Sequence, residues 1–244
     1  MIALLLILIP LVTGILNFQL PKNTVIGKPL QLITNIVLLG VAIWGVTTTN
    51  TSLLQANYNW LPTLGAKFAL QLDGLSKMLV LLTAVAGVCI AAATYHNDYK
   101  NIAQYLGFSQ LALAGLMGVF LSNDCLLFYF FWELALLPAY FLCSIWGGEK
   151  RIAVTFKFFL YTFIGSLLLL VGILYVYFHT PDASFAAESM YKAVLTKQEK
   201  MGLFWLFFVA FAIKMPIFPF HTWQPDTYEQ SPTGVTMLLS GVMV

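Results

Sequence analysis

Apolar runs about as long as a membrane is thick alternate with short polar breaks along this chain. Met1 to Leu16 is apolar from its first residue and lacks the basic start and small-residue cleavage site of a signal peptide, so it predicts a retained first helix. A polar loop with Asn17, Pro21, Lys22 and Lys28 leads to a second run, about Leu30 to Val46. Thr47 to Lys67, rich in Thr, Asn and Pro, reads as a loop, and Phe68 to Asp73 as an interfacial approach to a third run, Leu75 to Thr94. A turn at Tyr95 to Lys100 precedes the fourth run, Ile102 to Leu121. Ser122-Asn123-Asp124 supplies helix-starting residues for a fifth, which ends near Trp146. After the charged turn Gly147 to Arg151 comes the sixth, Ile152 to Phe178; after the mixed-charge loop Pro181 to Lys200, Met201 opens the seventh. Pro232 to Val244 begins an eighth, but its thirteen residues at about 1.5 Å each cover only some 20 Å of a roughly 30 Å hydrocarbon core. The expectation is that the chain stops inside this helix, either as a fragment or with a partner completing the packing.

Composition settles the class. Of 244 residues, 60% are hydrophobic and 9% charged, against about 25% charged in ordinary soluble domains. The expected fold is all-α: a polytopic transmembrane helical bundle of seven full spans and a partial eighth. The net charge of +2 comes without any basic run, so nothing points to nucleic acid. Cys89, Cys125 and Cys143 lie in apolar segments without CxxC or CxxCH spacing and read as core residues, not metal or haem ligands. With alternate loops assigned to alternate sides, Lys22, Lys28, Lys100, Lys150 and Arg151 face Lys67, Lys192, Lys197 and Lys200. By the positive-inside bias this places the first set in the cytoplasm and the N-terminus outside.

The seventh run carries the chemistry. No charge occurs from Gly202 to Ile213; then Lys214 appears in mid-span, with Pro216 and Pro219 close behind. Each proline deletes a backbone donor and crowds the carbonyl four residues back, so the helix is expected to break just after the lysine. Carbonyls freed at that depth need cover from protein or a water-filled cavity. A charge and a helix break at one depth signal an ion pathway; the alternative is a proline kink with a structural ion pair. Glu133 lies nine residues past Asp124, about 13 Å deep. Lys214 lies twelve past Gly202, about 18 Å deep from the same side. Lys157, entering from the opposite side, is expected about 20 Å from that first face. These three fall near the middle third of the bilayer and suit a proton relay. Burial disfavours the charged form of either partner, while a Glu–Lys contact at about 4 Å in an effective dielectric near 20 restores about 4 kcal/mol. Because the two effects oppose, separating the partners switches the lysine between holding and releasing its proton.

His221, near the far interface, is a weaker candidate for proton uptake, equally consistent with an interfacial anchor beside Trp223. His179 reads as a loop residue, Asp73 and Asp124 as helix caps, and Asp226 and Glu229 as solvated or paired residues in the turn after the seventh helix. No nucleophile constellation, phosphate loop or metal-ligand spacing is present in the sequence.

Four stretches carry a family resemblance. KMPIFPFHTWQPDTYEQSPTG at 214–234 resembles the broken-helix signature of the antiporter-like proton-pumping subunits of respiratory complex I, NADH-quinone oxidoreductase. LSNDCLLFYFFWELALLPAYFL at 121–142 and GGEKRIAVTFKFFLYTFIGSLLLLVGIL at 147–174 are similar to their fifth and sixth helices, and LDGLSKMLVLLTA at 72–84 to their third-helix start. KFFLYT and WELALLP resemble subunit M, the mitochondrial subunit 4 type, more than subunits L and N. The resemblance implies that Glu133, Lys214 and Lys157 are the family's fifth-, seventh- and sixth-helix pathway residues. It implies residues 1–101 as three N-terminal helices and 102–244 as the first of two inverted repeats, incomplete at its last helix. The eighth-helix lysine and the second repeat would lie past Val244, leaving half a path. It also implies NADH, flavin, iron–sulfur clusters and quinone in partner subunits and none in this chain. Neighbouring antiporter-like subunits and lipid would be its partners, in a bacterial inner membrane. One departure stands out: the family's Ala-His after Pro-Asp is here Thr227-Tyr228. The competing readings are a subunit of a multisubunit cation/proton antiporter, which shares the broken helix without NADH chemistry, and a non-transporting structural fragment.

Overall fold

The computed structural model describes residues 1–21, 24 and 26–244; Lys22, counted above among the charges of one side, lies outside the described residues. The elements are α1 (Ile2–Gln19), α2 (Gly27–Thr47), α3 (Thr51–Leu54), β1 (Gln55–Leu61), β2 (Ala66–Gln71), α4 (Gly74–Thr94), α5 (Ile102–Leu121), α6 (Cys125–Trp146), α7 (Arg151–Tyr177), α8 (Ala187–Tyr191), α9 (Lys197–Lys214), α10 (Trp223–Gln230) and α11 (Thr233–Leu238). Leu239–Met243 continues α11 as a π-helical turn. Among the described residues six helices, α1, α2 and α4 to α7, are long and apolar enough to cross a membrane. The expected seventh span, α9, differs: its 18 residues start four before Met201 and include Lys197, Glu199 and Lys200, and it stops at Lys214. Its start is set by a capping box in which Thr196 and Glu199 satisfy each other's backbone amides.

The loops gather at two ends of the bundle. At one, Lys28 pairs with Asp98 at 2.9 Å, Trp146 donates its indole N–H to the Lys100 carbonyl at 2.7 Å, and Gly148 N–H bonds the Gln230 carbonyl at 2.8 Å. At the other, the segment read as a loop is an antiparallel hairpin, β1 on β2, with Tyr58 opposite Phe68. Alternation in 66–71 sends Ala66 and Leu70 inward, a pattern that runs past the Thr/Asn/Pro signal of the residues before it. The hairpin is tied down by Asp124, which accepts the Lys67 amide at 3.0 Å while capping α6 through the Leu126 and Leu127 amides. Asp73 caps α4 through the Ser76 amide at 2.8 Å. Both aspartates are therefore caps, as their positions predict.

α5 is the axis: 72% of its apolar window is buried, against 33–44% for the other five. Lipid offers no hydrophobic drive between helices, so close packing and interhelical hydrogen bonds must hold them. Gly115 lets the α6 backbone approach, since a Cβ there would lie 2.8 Å from the Ala135 N and Cα. On the opposite flank a buried polar seam joins α2, α4 and α5. Gln110 donates to Asn35 at 3.0 Å, Asn35 to the Gly87 carbonyl at 2.9 Å, and Gln31 to Ser109 at 3.3 Å. Gly115→Val, which forces α5 and α6 apart, should cost about 1–3 kcal/mol and lower the thermal unfolding midpoint in detergent. Gly40→Val, with nothing within 4 Å of its added Cβ, should leave the midpoint unchanged.

Candidate functional site

The helix break after Lys214 forms as the prolines dictate. Met215 N–H still bonds Phe211 O at 2.7 Å, but Ile217 N–H reaches back five residues to Ala212 O at 2.9 Å. A regular helix would have bonded that amide to Ile213 O, which is thus left over. Trp223 fills the gap: buried to 1% exposure, it donates its indole N–H to Ile213 O at 2.9 Å. Between them run the cis Phe218-Pro219 peptide and the single turn Phe220–Thr222. The freed carbonyl is covered by protein, one of the two ways irregular backbone survives at membrane depth.

Lys214, half-buried, places its ammonium 4.9 Å from the centre of the Trp132 ring. A desolvated ammonium over an indole face gains about 2 kcal/mol or more. Trp132 is itself fixed, donating to Ser166 Oγ at 3.1 Å and meeting Phe211 edge-on at 5.9 Å. Lys214 and Trp132 also line a cavity of about 60 Å³ against Leu116, Phe120, Val242 and Met243. That is room for a few waters, each needing about 10–15 Å³ on this measure.

Glu133 interacts electrostatically with Lys214, but among the described residues no ion pair joins them within 4.0 Å. Glu133 borders an apolar groove of about 380 Å³ with Trp60, Tyr129, Phe130 and Leu137, while its Oε1 is buried without a hydrogen-bond partner. Tyr129, one turn earlier, is the polar neighbour on its own helix. The structure therefore brings Glu133 and Lys214 into one neighbourhood without contact, with the tryptophan holding the lysine.

Lys157 stands apart from that neighbourhood. It bonds Asp226 at 2.9 Å and the Thr222 carbonyl at 2.8 Å, and its side chain is 36% exposed. Asp226 is not a turn residue but sits in the first turn of α10. His221 lies in the broken segment, its Nδ1 buried without a partner and its ring 5.6 Å from Phe218. His179 caps the far end of α7, bonding Tyr175 O at 2.8 Å and lying 3.8 Å from Glu199. Glu229 is exposed. The residues that sequence reasoning missed are Trp132, Ser166 and Trp223. An aromatic directly before the intramembrane Glu133, and another past the break where a carbonyl is freed, are the signals that would have found the two tryptophans.

Residues 122–244, which hold α6, α7, α9 and the break, match the family model described as NADH:quinone oxidoreductase/Mrp antiporter, transmembrane. The chain belongs to this family. Subunit M of the NADH-quinone oxidoreductase of Escherichia coli is 35% identical over 263 aligned positions, covering 98% of this chain and 51% of that protein. Respiratory complex I from Thermus thermophilus contains a chain of the same fold, with a TM-score of 0.85 at 29% identity over 98% of this chain and 49% of that one. A chain of the Mrp complex from a Dietzia species superposes with a TM-score of 0.87 over all of this chain and 27% of its own length; at 20% identity this shows the fold alone. The chain spans about half the length of the curated relatives it matches. It is a multi-pass membrane protein of the antiporter-like kind.

Trp223→Phe keeps an aromatic ring but removes part of the buried indole and strips the donor from Ile213 O, and an unsatisfied buried carbonyl alone costs about 1–3 kcal/mol. The thermal midpoint should fall accordingly, while Trp205→Phe, on an exposed face of α9, should leave it unmoved.

Proposed function

We propose that this chain belongs to a subunit M-like component of a proton-translocating NADH:quinone oxidoreductase. The observation that carries the reading is Lys214, an ammonium at a helix break, held by an aromatic face with Glu133 in electrostatic reach but not in contact. A structural lysine is expected to be locked into an ion pair or to snorkel to the interface; this one has two alternative partners, Trp132 and Glu133. In the Trp132 position it faces the cavity beside the π-helical turn. Moving to Glu133 would satisfy the orphaned Oε1 and neutralise the carboxylate's charge. A proton arriving at or leaving Lys214 changes which position is favoured, so proton movement and lysine position are coupled. Electron transfer from NADH to quinone belongs to other subunits, which hold the flavin, iron–sulfur clusters and quinone site. This chain's residues accept, hold and release protons.

Residues 1–101 form the N-terminal helices and 102–244 the first antiporter-like repeat. The subunit sits in a bacterial inner membrane with its N-terminus outside, beside other antiporter-like subunits and lipid. A second reading, a subunit of an Mrp-type cation/proton antiporter, is favoured by the shared family description and by the fold match to the Mrp complex. NADH dependence separates the two: in the first reading proton movement stops when NADH oxidation is blocked, and in the second it continues.

Lys214→Ala should abolish NADH-driven proton pumping in membrane vesicles while the subunit still assembles; normal coupled pumping in an assembled Lys214→Ala complex would sink the proposal. Glu133→Gln, which removes the charge and keeps the volume, should cut pumping, whereas Glu133→Asp should retain part of it. If Gln performs like wild type and Asp does not, Glu133 acts through shape, and the two-position lysine is the wrong mechanism.

A further inference from the structure

α7 and α9 pack closely toward the Lys214 end of α9 and part toward its start. A Cβ on Gly165 would lie 3.3 Å from the Ala210 carbonyl oxygen, and one on Gly172 would lie 2.7 Å from the Phe207 ring and 2.8 Å from Leu206. One turn before Leu206, Gly202 has nothing within 4 Å of an added Cβ. The diverging helices leave a groove of about 310 Å³ walled by Val171, Gly172, Gly202, Leu203 and Leu206, within the size range of small-molecule sites. The groove is apolar along its length and polar only at one end, where Tyr175 and Glu199 stand. The buried residues of α9 are Ala210, Ala212 and Ile213, all near Lys214, so the half of the helix that borders the groove is uncovered.

The polar end is held in place by its own contacts. His179 bonds the Tyr175 carbonyl at 2.8 Å and stacks on the Tyr175 ring at 4.6 Å. Tyr175 O–H donates to Glu199 Oε1 at 2.9 Å, while Oε2 accepts the Thr196 amide and hydroxyl, each at 2.7 Å. An ionised carboxylate has about four acceptor sites, so one stays open, on Oε1; His179 Nε2, 3.8 Å away, is beyond hydrogen-bond length. Lys197 and Lys200 flank Glu199 and pair with no carboxylate among the described residues. We infer that this groove holds an acyl chain of phosphatidylethanolamine, a phospholipid with a primary-ammonium headgroup, and that the ammonium donates to Glu199 Oε1. An acyl chain fits walls that are apolar throughout. A headgroup bearing both ammonium and phosphate fits an end where Glu199 lies between two lysines. The bound lipid braces the uncovered half of the helix that carries Lys214. The site requires only that α7 and α9 lie in the membrane, and it goes beyond the proton-translocating reading.

Photolabelling tests this in the full-length protein, purified with its partner chains and returned to vesicles containing a trace of phosphatidylethanolamine with a photoactivatable acyl chain. After illumination and digestion, adducts should map to residues 171–175 and 199–206. Unlabelled phosphatidylethanolamine should suppress them at about one-tenth or less of the phosphatidylcholine required. A quaternary nitrogen has no N–H to donate, and a hydrogen bond to a charged group is worth about tenfold or more. Glu199→Gln, which can still close the capping box with Thr196, should erase that preference. Gly202→Phe, whose ring fills the open notch, should remove these adducts and leave those elsewhere on the protein. Equal suppression by the two lipids, or a preference unchanged in Glu199→Gln, means that the groove meets bulk lipid only and overturns the inference. Stronger suppression by phosphatidylglycerol, which has no ammonium, also overturns it. So does an absence of adducts in the wild-type groove, which means that a protein partner covers this face. Should Gly202→Phe fail to assemble, headgroup competition in wild type and Glu199→Gln decides. None of these readouts is pumping, so the proton-translocating reading stands or falls separately.

Discussion

An ammonium carried into an apolar bundle has to be matched by something, and in this chain the match is arranged around Lys214. The helix that bears it ends there, because Pro216 and Pro219 cannot supply the amides that the preceding carbonyls need. That break creates the room for a lysine side chain and, at the same time, an orphan at Ile213 O. Trp223 resolves the orphan and in doing so fixes the return path of the chain into α10. Trp132, anchored by Ser166, resolves the charge without neutralising it. A carboxylate in contact would have made the lysine one half of an ion pair; here an indole face holds it instead.

The supporting architecture follows from the same demand for order around an irregular segment. α5 is buried on nearly every side, and its glycine at 115 brings α6, with Trp132 and Glu133, close to the axis. α6 also carries Pro138 five residues beyond Glu133, and Pro216 follows α9 two residues past Lys214, so a proline lies near each central charge. At the ends, Asp124 couples the start of α6 to the β1–β2 hairpin, and Gln230 couples α10 to the α6–α7 turn. These contacts fix the ends of the helices around the segment that carries Lys214.

Much of this was legible in the sequence, and the reasons differ by element. The long helices could be read from run length alone, since the bilayer demands about twenty apolar residues per crossing. The break after Lys214 was legible because proline chemistry is local. The caps Asp73 and Asp124 were legible for the same reason. The hairpin at 55–71 was hidden: its turn residues read as loop, and its inward positions matter only once Ser122 and Asp124 lie beside it. The pairing of charges was hidden too. Depth along a helix placed Lys157 with Glu133 and Lys214, but rotation about the helix axis decides partners, and it turns Lys157 toward α10 and Asp226. Trp132 escaped notice because an aromatic in an apolar run is ordinarily packing, and only its contact with Lys214 distinguishes it.

The proposed proton path requires the protonation of Glu133 and Lys214 to change during turnover. Reaction-induced infrared difference spectroscopy of the assembled complex, with and without NADH, measures this directly through the carboxyl stretch. A carboxylic-acid band should appear or vanish with turnover, be absent in Glu133→Gln, and be displaced in Lys214→Ala. A difference spectrum in which Glu133→Gln and wild type coincide would mean that Glu133 keeps one protonation state throughout, and the two-position lysine would have no electrostatic partner to switch to.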